Sequence, residues 1–222
     1  MTLKLVTVPD PRLREQSLPV KTLNKKNIQF IRDLGNTLVK KENPSGVGLS
    51  AVQVGTNVRV FFTLLPPVYD FTAFADDLPQ PELQVYINPE IVDASKQMTY
   101  GPDPDHPALE GCLSIPSLYG PVLRHQTIKL KYKTLDDVEI KKFVHGAGPH
   151  EVGASTPNYD LESLHEKTKV FSHFYARVIQ HEYDHLDGIL FTDYIKKEAS
   201  ELYFDTGDKL TPIPNPKDLI LW

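Results

Sequence analysis

The stretch Phe174 to Leu190, FYARVIQHEYDHLDGIL, constrains the fold of this chain more than any other. It contains the pattern H-E-x-x-H, formed by His181, Glu182 and His185. Residues four apart lie on one face of a helix, so both imidazoles can bind one metal ion, and the glutamate beside the first of them can reach a water on that ion. The pattern therefore predicts a helix that carries a hydrolytic metal site.

The remainder of the stretch predicts that this helix is buried. No proline or glycine interrupts Phe171 to Asp187, and Gly188 follows where a helix C-cap would fall. Apolar residues cover most of the helix surface, as is typical of a helix inside a core. Histidine and glutamate are costly there unless a metal ion and hydrogen bonds satisfy them. A core helix with two hydrogen-bonded histidines is the simpler alternative, and the buried setting weakens it.

Length and composition predict a single globular domain over residues 1–222. The chain has 222 residues, of which 40% are hydrophobic and 24% are charged, as expected for a globular protein with a proper core. Runs rich in proline and polar residues predict insertions near 66–83 and 146–161. Residues 195–222 are predicted to form a C-terminal extension.

Charge and hydropathy narrow the class of protein. The 24 basic and 29 acidic residues give a net charge of −5 without a basic run, so we expect no direct binding to nucleic acid. No apolar run reaches the ~20 residues that span a bilayer, and the N-terminus is unlike a secretory signal. With Cys112 as the only cysteine, we expect a cytoplasmic protein with no membrane partner.

A hydrolytic metal site needs three protein ligands and one open position, and the residues leave the third ligand open. The extended metalloprotease pattern HExxHxxGxxH is followed as far as Gly188, but Phe191 stands in place of the third histidine. A downstream glutamate is one alternative, with Glu198 and Glu201 as candidates in a lysine-rich stretch. The other is Cys112, which would otherwise be a small buried hydrophobe.

Hydrophobic patterning predicts one further helix and several strands. Helical spacing from Asn24 to Glu42 predicts an amphipathic surface helix. The β-rich run Val58 to Leu65 predicts a strand, and alternation predicts a hairpin formed by Thr127 to Leu135 and Val138 to Val144.

Two further segments are expected to be extended. Gln84 to Asp93 is predicted to pair with Gln97 to Tyr100, with a bulge or turn at Asn88-Pro89. Glu110 to Pro116 places Cys112 in an extended stretch.

Three segments together resemble the peptide deformylase family. That family has, in order, a GφGφAAxQ loop, an EGCφS strand and a QHExDH helix, and this chain has GVGLSAVQ at Gly46 to Gln53, EGCLS at Glu110 to Ser114 and QHEYDH at Gln180 to His185. Ser50 replaces the usual first alanine, a change between small residues from which we expect little effect on packing. The likeness covers Val8 to Asp193 apart from the two insertions.

The resemblance implies an α+β fold with antiparallel β-sheets wrapped around a central buried helix that carries HExxH. It also implies that Cys112, His181 and His185 bind the metal, which is usually Fe2+ in this family, with Zn2+, Ni2+ or Co2+ able to take its place. One thiolate and two imidazoles suit a late divalent transition metal better than magnesium or calcium. The implied reaction removes the N-formyl group from the formylmethionine of nascent polypeptides and releases formate.

The resemblance further implies a role for each residue of the site. Metal-bound water attacks the formyl carbon with Glu182 as general base and then acid, while the Gln53 side chain and the Leu113 backbone N–H stabilise the charge on the formyl oxygen. Glu110 forms a structural ion pair with Arg124. The expected substrate-binding residues are Val47, Gly48, Glu110, Phe174 and Val178.

The implied substrate, a formylated nascent polypeptide, suggests a transient association with the ribosome. Two rival interpretations remain. One is a zinc metallopeptidase with Glu198 or Glu201 as its third ligand. The other is a deformylase-like protein without catalysis that binds ribosomes or nascent chains. The intact set of five residues argues against the latter, since a protein without catalytic activity would not need all of them: Gln53, Cys112, His181, Glu182 and His185.

Overall fold

A computed structural model describes residues 1–42, 44–67, 79–102, 108–135, 161–198 and 200–214. Most of the two predicted insertions, the predicted strand Val138 to Val144 and the last residues of the extension lie outside these ranges, and the single domain over 1–222 stays a prediction. The helices are α1 (Lys25–Val39), α2 (His173–Leu186) and α3 (Phe191–Glu198). The strands are β1 (Gly48–Ser50), β2 (Val60–Leu65), β3 (Glu82–Ala94), β4 (Met98–Thr99), β5 (Glu110–Cys112), β6 (Ile115–Gly120), β7 (Arg124–His125), β8 (Thr127–Thr134), β9 (His165–Ser172), β10 (Tyr203–Asp205) and β11 (Leu210–Pro212).

A five-stranded antiparallel sheet, in the order β1-β2-β3-β8-β9, separates α1 from α2. Successive residues of a strand point to opposite faces, and β2 shows the result. Val60 and Phe62 pack in one cluster with the apolar side of α1, whereas Phe61 packs in another with Ala176 and Ile179 of α2. The sheet therefore supplies apolar cover to both helices, and α2 lies inside the molecule as predicted.

Helix α1 confirms the amphipathic helix expected between Asn24 and Glu42. Its N-cap is Asn24, whose side chain accepts a hydrogen bond from the backbone N–H of Asn27 at 2.9 Å. Such a cap satisfies one of the free donors at a helix start. The buried side of α1 repeats at helical spacing. It consists of Ile28, Ile31, Leu34 and Leu38.

A smaller sheet, in the order β11-β10-β6-β5, carries the EGC segment. Helix α3 packs against it through Phe191 and Ile195, which share an apolar cluster with Ile115 of β6. The two sheets and the buried helix confirm the predicted α+β fold. No helix in the described ranges is both long and apolar enough to cross a bilayer.

The predicted pairing of Gln84 to Asp93 with Gln97 to Tyr100 is wrong. Strand β3 pairs with β8, and β4 pairs with β7. The reason lies in the connection, where Ser95 N–H donates to the Thr127 carbonyl at 2.8 Å and Gln126 N–H donates to the Gln97 carbonyl at 3.0 Å. These bonds carry the chain after β3 towards the segment that precedes β8, so β3 and β4 do not form a hairpin.

The expected irregularity at Asn88-Pro89 is a β-bulge. The register between β3 and β8 shifts between Ile87 and Glu90, and Asn88 has a φ of 50°. Its side-chain amide accepts from the Val20 N–H at 2.7 Å and donates to the Val20 carbonyl at 2.9 Å. The bulge thereby fastens the N-terminal segment to the sheet.

Candidate active site

Cys112, His181 and His185 come together although they lie on different elements. One ligand atom from each, a sulfur and two ring nitrogens, lies within 4.8 Å of the others. The Sγ atom of Cys112, at the end of β5, is 3.2 Å from Nε2 of His185. Among the described residues, these are the only three or more histidine, cysteine or acidic side chains grouped closely enough to hold a metal ion.

The alternative third ligands lie elsewhere. Phe191 is buried, and its ring centroid is 6.5 Å from that of His181, so an apolar ring packs where the metalloprotease pattern would have a ligand. Glu198 and Glu201 are exposed, and Glu201 accepts a hydrogen bond from the Tyr203 hydroxyl. This geometry does not favour a zinc metallopeptidase with a downstream glutamate.

A buried carboxylate orients His181. Glu110 accepts hydrogen bonds from Arg124 at 2.7 and 2.9 Å and from Arg177, and its Oε2 lies 3.2 Å from Nδ1 of His181. Burial raises the pKa of Glu110, but Arg124 and His181 more than offset it and hold that pKa well below its usual range. A carboxylate on one ring nitrogen leaves the other free for a metal, a common arrangement in metal sites.

The protonation of the two histidines is set by different neighbours. Burial and the nearby His181 lower the pKa of His185 well below its usual value, which favours the neutral ring that binds metals. Burial also lowers the pKa of His181, but its hydrogen bonds to Cys112 and Glu110 outweigh burial and raise that pKa. The Nδ1 atom of His185 is buried without a hydrogen-bond partner in the described part of the chain. One thiol and two imidazoles that face each other fit a late divalent transition metal.

Glu182 is buried beside this cluster and is held by the GVGLS segment. The Ser50 hydroxyl lies 2.6 Å from Oε2 of Glu182 and 2.9 Å from its backbone oxygen. Gly48 packs so closely that a Cβ there would lie 2.4 Å from Oε1. Burial raises the pKa of Glu182, against the opposing effects of His181 and the Ser50 hydrogen bond. The carboxyl group therefore has one defined position and a strengthened affinity for a proton.

Gln53 and Leu113 lie next to the thiol. Gln53 is buried, its amide nitrogen donates to Sγ of Cys112 at 3.5 Å, and its amide oxygen accepts from the Ser50 N–H at 2.8 Å. Leu113 follows Cys112 in the turn from β5 to β6 and lines the cavity described below. Both predicted donors are thus beside the candidate metal ligands, and their roles stay predictions.

A cavity of about 560 Å³ opens onto these residues. Val47 is 43% exposed at its mouth, so the cavity is accessible from solvent. All five predicted substrate-binding residues line it, together with Gln53, Leu113, Glu182, Cys112 and His181. Among these five, Glu110 differs because its carboxylate already binds two arginines and His181, which favours an orienting role over direct contact with substrate.

Two side chains with clear structural roles were missed by sequence reasoning. Arg177 is buried and donates to the backbone oxygens of Thr99 at 2.6 Å and Val122 at 2.9 Å, in addition to Glu110. A charged residue four positions before His181 in an otherwise apolar helix was a signal that could have identified it. The hydroxyl of Ser50 had no such signal, because its contact with Glu182 joins distant parts of the chain.

Comparison with known proteins establishes the family. The family model described as polypeptide deformylase matches residues 2–148 and 155–201, a wider span than the motifs alone suggest. The chain belongs to the polypeptide deformylase family. It is 33% identical over 207 residues to the peptide deformylase of Thermomicrobium roseum, covering 93% of each chain. It is 30% identical over 217 residues to that of Novosphingobium aromaticivorans, covering 93% of this chain and 96% of the relative.

Solved deformylase structures share the fold. The Met-Ala-Ser-bound class I type b peptide deformylase of Acinetobacter baumannii is 28% identical, with a TM-score of 0.62 over 88% of this chain and 99% of the other. The peptide deformylase of Ehrlichia chaffeensis in complex with actinonin is 26% identical, with a TM-score of 0.62 over 89% of this chain and 91% of the other. The similarity thus extends from the sequence motifs to the fold over most of the chain.

Proposed function

We propose that the site described above removes the N-formyl group from the formylmethionine that begins nascent polypeptides, with a metal ion held by Cys112, His181 and His185. The observation that supports this site most strongly is the meeting of these three side chains beside the buried carboxyl group of Glu182 in one accessible cavity. Family membership supplies the reaction, and the cavity supplies the place for it.

The donor set and the family support Fe2+ as the physiological ion, with Zn2+, Ni2+ or Co2+ able to occupy the same ligands. When bound, such an ion lowers the pKa of a coordinated water to near neutrality and polarises the carbonyl group it touches. Glu110 contributes by holding the His181 ring through Nδ1, which directs Nε2 towards the thiol and the second imidazole.

Glu182 moves the proton in this proposal. It accepts a proton as the water oxygen forms a bond to the formyl carbon, and it later donates that proton to the departing amine nitrogen as the C–N bond breaks. The products are formate and a peptide with a free N-terminal methionine. Gln53 and the Leu113 N–H donate to the formyl oxygen as negative charge grows there, and one such donor contributes ~3 kcal/mol in other hydrolases.

The apolar part of the cavity is the proposed site for the methionine side chain. Val47, Phe174 and Val178 line the cavity, and the last two come from the helix that carries the histidines. Gly48 brings the backbone of β1 within van der Waals distance of Glu182, so a peptide lying against β1 would have its N-terminal residue near the proton carrier.

The substrate indicates where the protein acts. Formylated chains emerge from translating ribosomes, so we propose a cytoplasmic enzyme that associates with the ribosome transiently. The net charge of −5 favours contact with the nascent chain over direct binding to RNA.

Hydrolysis of formyl-Met-Ala, by protein purified without oxygen and loaded with Fe2+, tests the proposal. We expect formate from the wild type and a loss of about 10²–10⁴-fold in kcat for Glu182→Ala, because the proton carrier is removed. Glu198→Ala is the control, since this exposed residue lies outside the site. If protein loaded with Fe2+, Zn2+, Ni2+ or Co2+ in turn releases no formate, the function is contradicted. A wild-type rate for Glu182→Ala would contradict the mechanism alone.

A further inference from the structure

The cavity is completed by a strand that lies beyond the match to the family model. That match ends at residue 201, and the chain then forms β10 and β11. Strand β10 pairs with β6 through Tyr203 with Tyr119 and Phe204 with Leu118. The next residue, Asp205, lines the same cavity as the metal ligands. The C-terminal segment therefore adds a carboxylate to the cavity.

Among the residues that the structure describes, two charged side chains line the cavity outside the buried cluster around the candidate metal ligands, and they are Asp205 and Lys41. They reach it from different segments, because Lys41 follows α1 and precedes the Gly46 to Gly48 loop, whereas Asp205 belongs to β10. Asp205 is half-buried, and its Oδ1 accepts from the Gly207 N–H at 2.8 Å. In the described ranges it has no salt-bridge partner, so its charge is available to a cationic ligand.

The order of the small sheet locates Asp205 relative to the candidate ligands. Cys112 belongs to β5 and Asp205 to β10, and β6 lies between these two strands. Neighbouring strands are ~4.8 Å apart, so ~10 Å separates β5 from β10, about three residues of an extended peptide. Asp205 is thus placed to meet residues that follow the formylmethionine, and not the formylmethionine itself.

We propose that Asp205 selects formylated peptides that carry a lysine or arginine within the few residues after the formylmethionine. The inference rests on the proposed function of the same cavity and names the class of substrate that the cavity prefers. Because the carboxylate is partly exposed, we expect a preference of about 2–5-fold in kcat/KM, similar to the effect of other solvent-accessible ion pairs. Salt screens such pairs, so the preference should shrink as ionic strength rises.

The test compares formyl-Met-Ala-Lys, formyl-Met-Ala-Gln and formyl-Met-Ala-Glu, and the same series with the variable residue moved to the second or fourth position. For wild-type protein at low salt we expect lysine to exceed glutamine, and glutamine to exceed glutamate, in at least one position, mainly through KM. Asp205→Asn should make the three peptides converge. Asparagine keeps an oxygen that can accept from the Gly207 N–H, so the variant removes the charge and preserves the turn.

Asp208→Asn is the matched control. Asp208 lies three residues after Asp205 and carries the same charge, but its side chain does not line the cavity. It should keep the lysine preference. A wild type that hydrolyses every peptide equally, or an Asp205→Asn variant that keeps the preference, would overturn the proposal while leaving the deformylase function intact. A preference for glutamate that disappears in Lys41→Met would also overturn it and assign selectivity to Lys41. Absence of formate from every peptide would instead contradict the function itself.

Discussion

The hydroxyl of Ser50 has one proton and two neighbouring acceptors, both on Glu182: the carboxyl oxygen at 2.6 Å and the backbone oxygen at 2.9 Å. When Glu182 is ionised, Ser50 can donate to the carboxylate. When Glu182 carries a proton, the acid can donate to Ser50, which then donates to the backbone oxygen. One serine can therefore hold both protonation states of the proposed proton carrier in the same place.

We expect Ser50→Ala to lower kcat for formyl-Met-Ala by about 3–10-fold, because a net loss of ~1 kcal/mol in positioning Glu182 corresponds to about fivefold in rate. KM and bound metal should stay near the wild-type values, since alanine fits the space of serine and Ser50 is neither a candidate metal ligand nor a residue that lines the cavity. Ser17→Ala is the control, as Ser17 is a buried serine whose hydroxyl has no hydrogen-bond partner within the described residues. An unchanged kcat, or a loss of metal, would argue against this role.

At the residue scale, spacing within one helix was enough to expect His181, Glu182 and His185 close together, and the resemblance selected Cys112 over Glu198 and Glu201 as the third ligand. Spacing could not predict partners that are distant in the chain. The Ser50–Glu182 contact joins residues 132 positions apart, and Arg177 reaches Thr99 across 78 positions. Such contacts depend on the packing of α2 against the sheets, which one sequence does not specify.

At the element scale, the end of α2 shows a requirement for glycine. Gly188 has a φ of +70°, and a Cβ at this position would lie 2.4 Å from the backbone oxygen of Arg14. The helix thus ends in the left-handed conformation that glycine favours, directly against the N-terminal segment. The contact fixes the position of the residues that follow His185, because the backbones of Gly188 and Arg14 cannot move apart without displacing the segments that carry them.

We expect Gly188→Ala to lower the free energy of unfolding by about 2–4 kcal/mol, from backbone strain together with the steric clash. Gly207→Ala is a suitable control, because Gly207 has a φ of +90° but a Cβ added there would have nothing within 4 Å, so this variant reports strain alone. Urea unfolding of both variants measures the difference. Equal losses would mean that the Arg14 contact relaxes without cost.

Elements with a strong apolar period were predictable, and those without it were not. Buried residues recur at helical spacing in α1 and at every second position in β8, as expected. Strand β9 was missed because its first six residues, His165 to Val170, are all exposed and carry no apolar alternation. Helix α3 has only eight residues, too few for a clear period. Strands β10 and β11 were missed too, because all three residues of β11 are exposed, and the strands are held by pairing of β11 with β10 and of β10 with β6.

At the scale of the whole molecule, the proposed metal site joins the small sheet to α2, next to the contacts that Glu110 already makes with Arg177 and His181. Cys112 belongs to the small sheet, whereas His185 belongs to α2, which packs on the large sheet. The two ligands are 73 positions apart, so a bound ion would close a long loop of the chain. It would also bind imidazole nitrogens, which are costly to bury without partners.

Removing the metal should therefore weaken the entire fold. We expect protein treated with a chelator to melt about 5–10 °C lower than the loaded form, and Fe2+ or Zn2+ to restore the melting temperature, since an ion that binds only the folded chain stabilises it. Cys112→Ser should lose this response, whereas Glu182→Ala should keep it, because Glu182 is not a ligand. A melting temperature that does not change when metal is added to the wild type would show that the three side chains do not bind an ion.

The iron form should lose activity in air faster than the zinc form, as ferrous iron beside a thiolate promotes oxidation. Equal half-lives of the two forms in air would argue against iron.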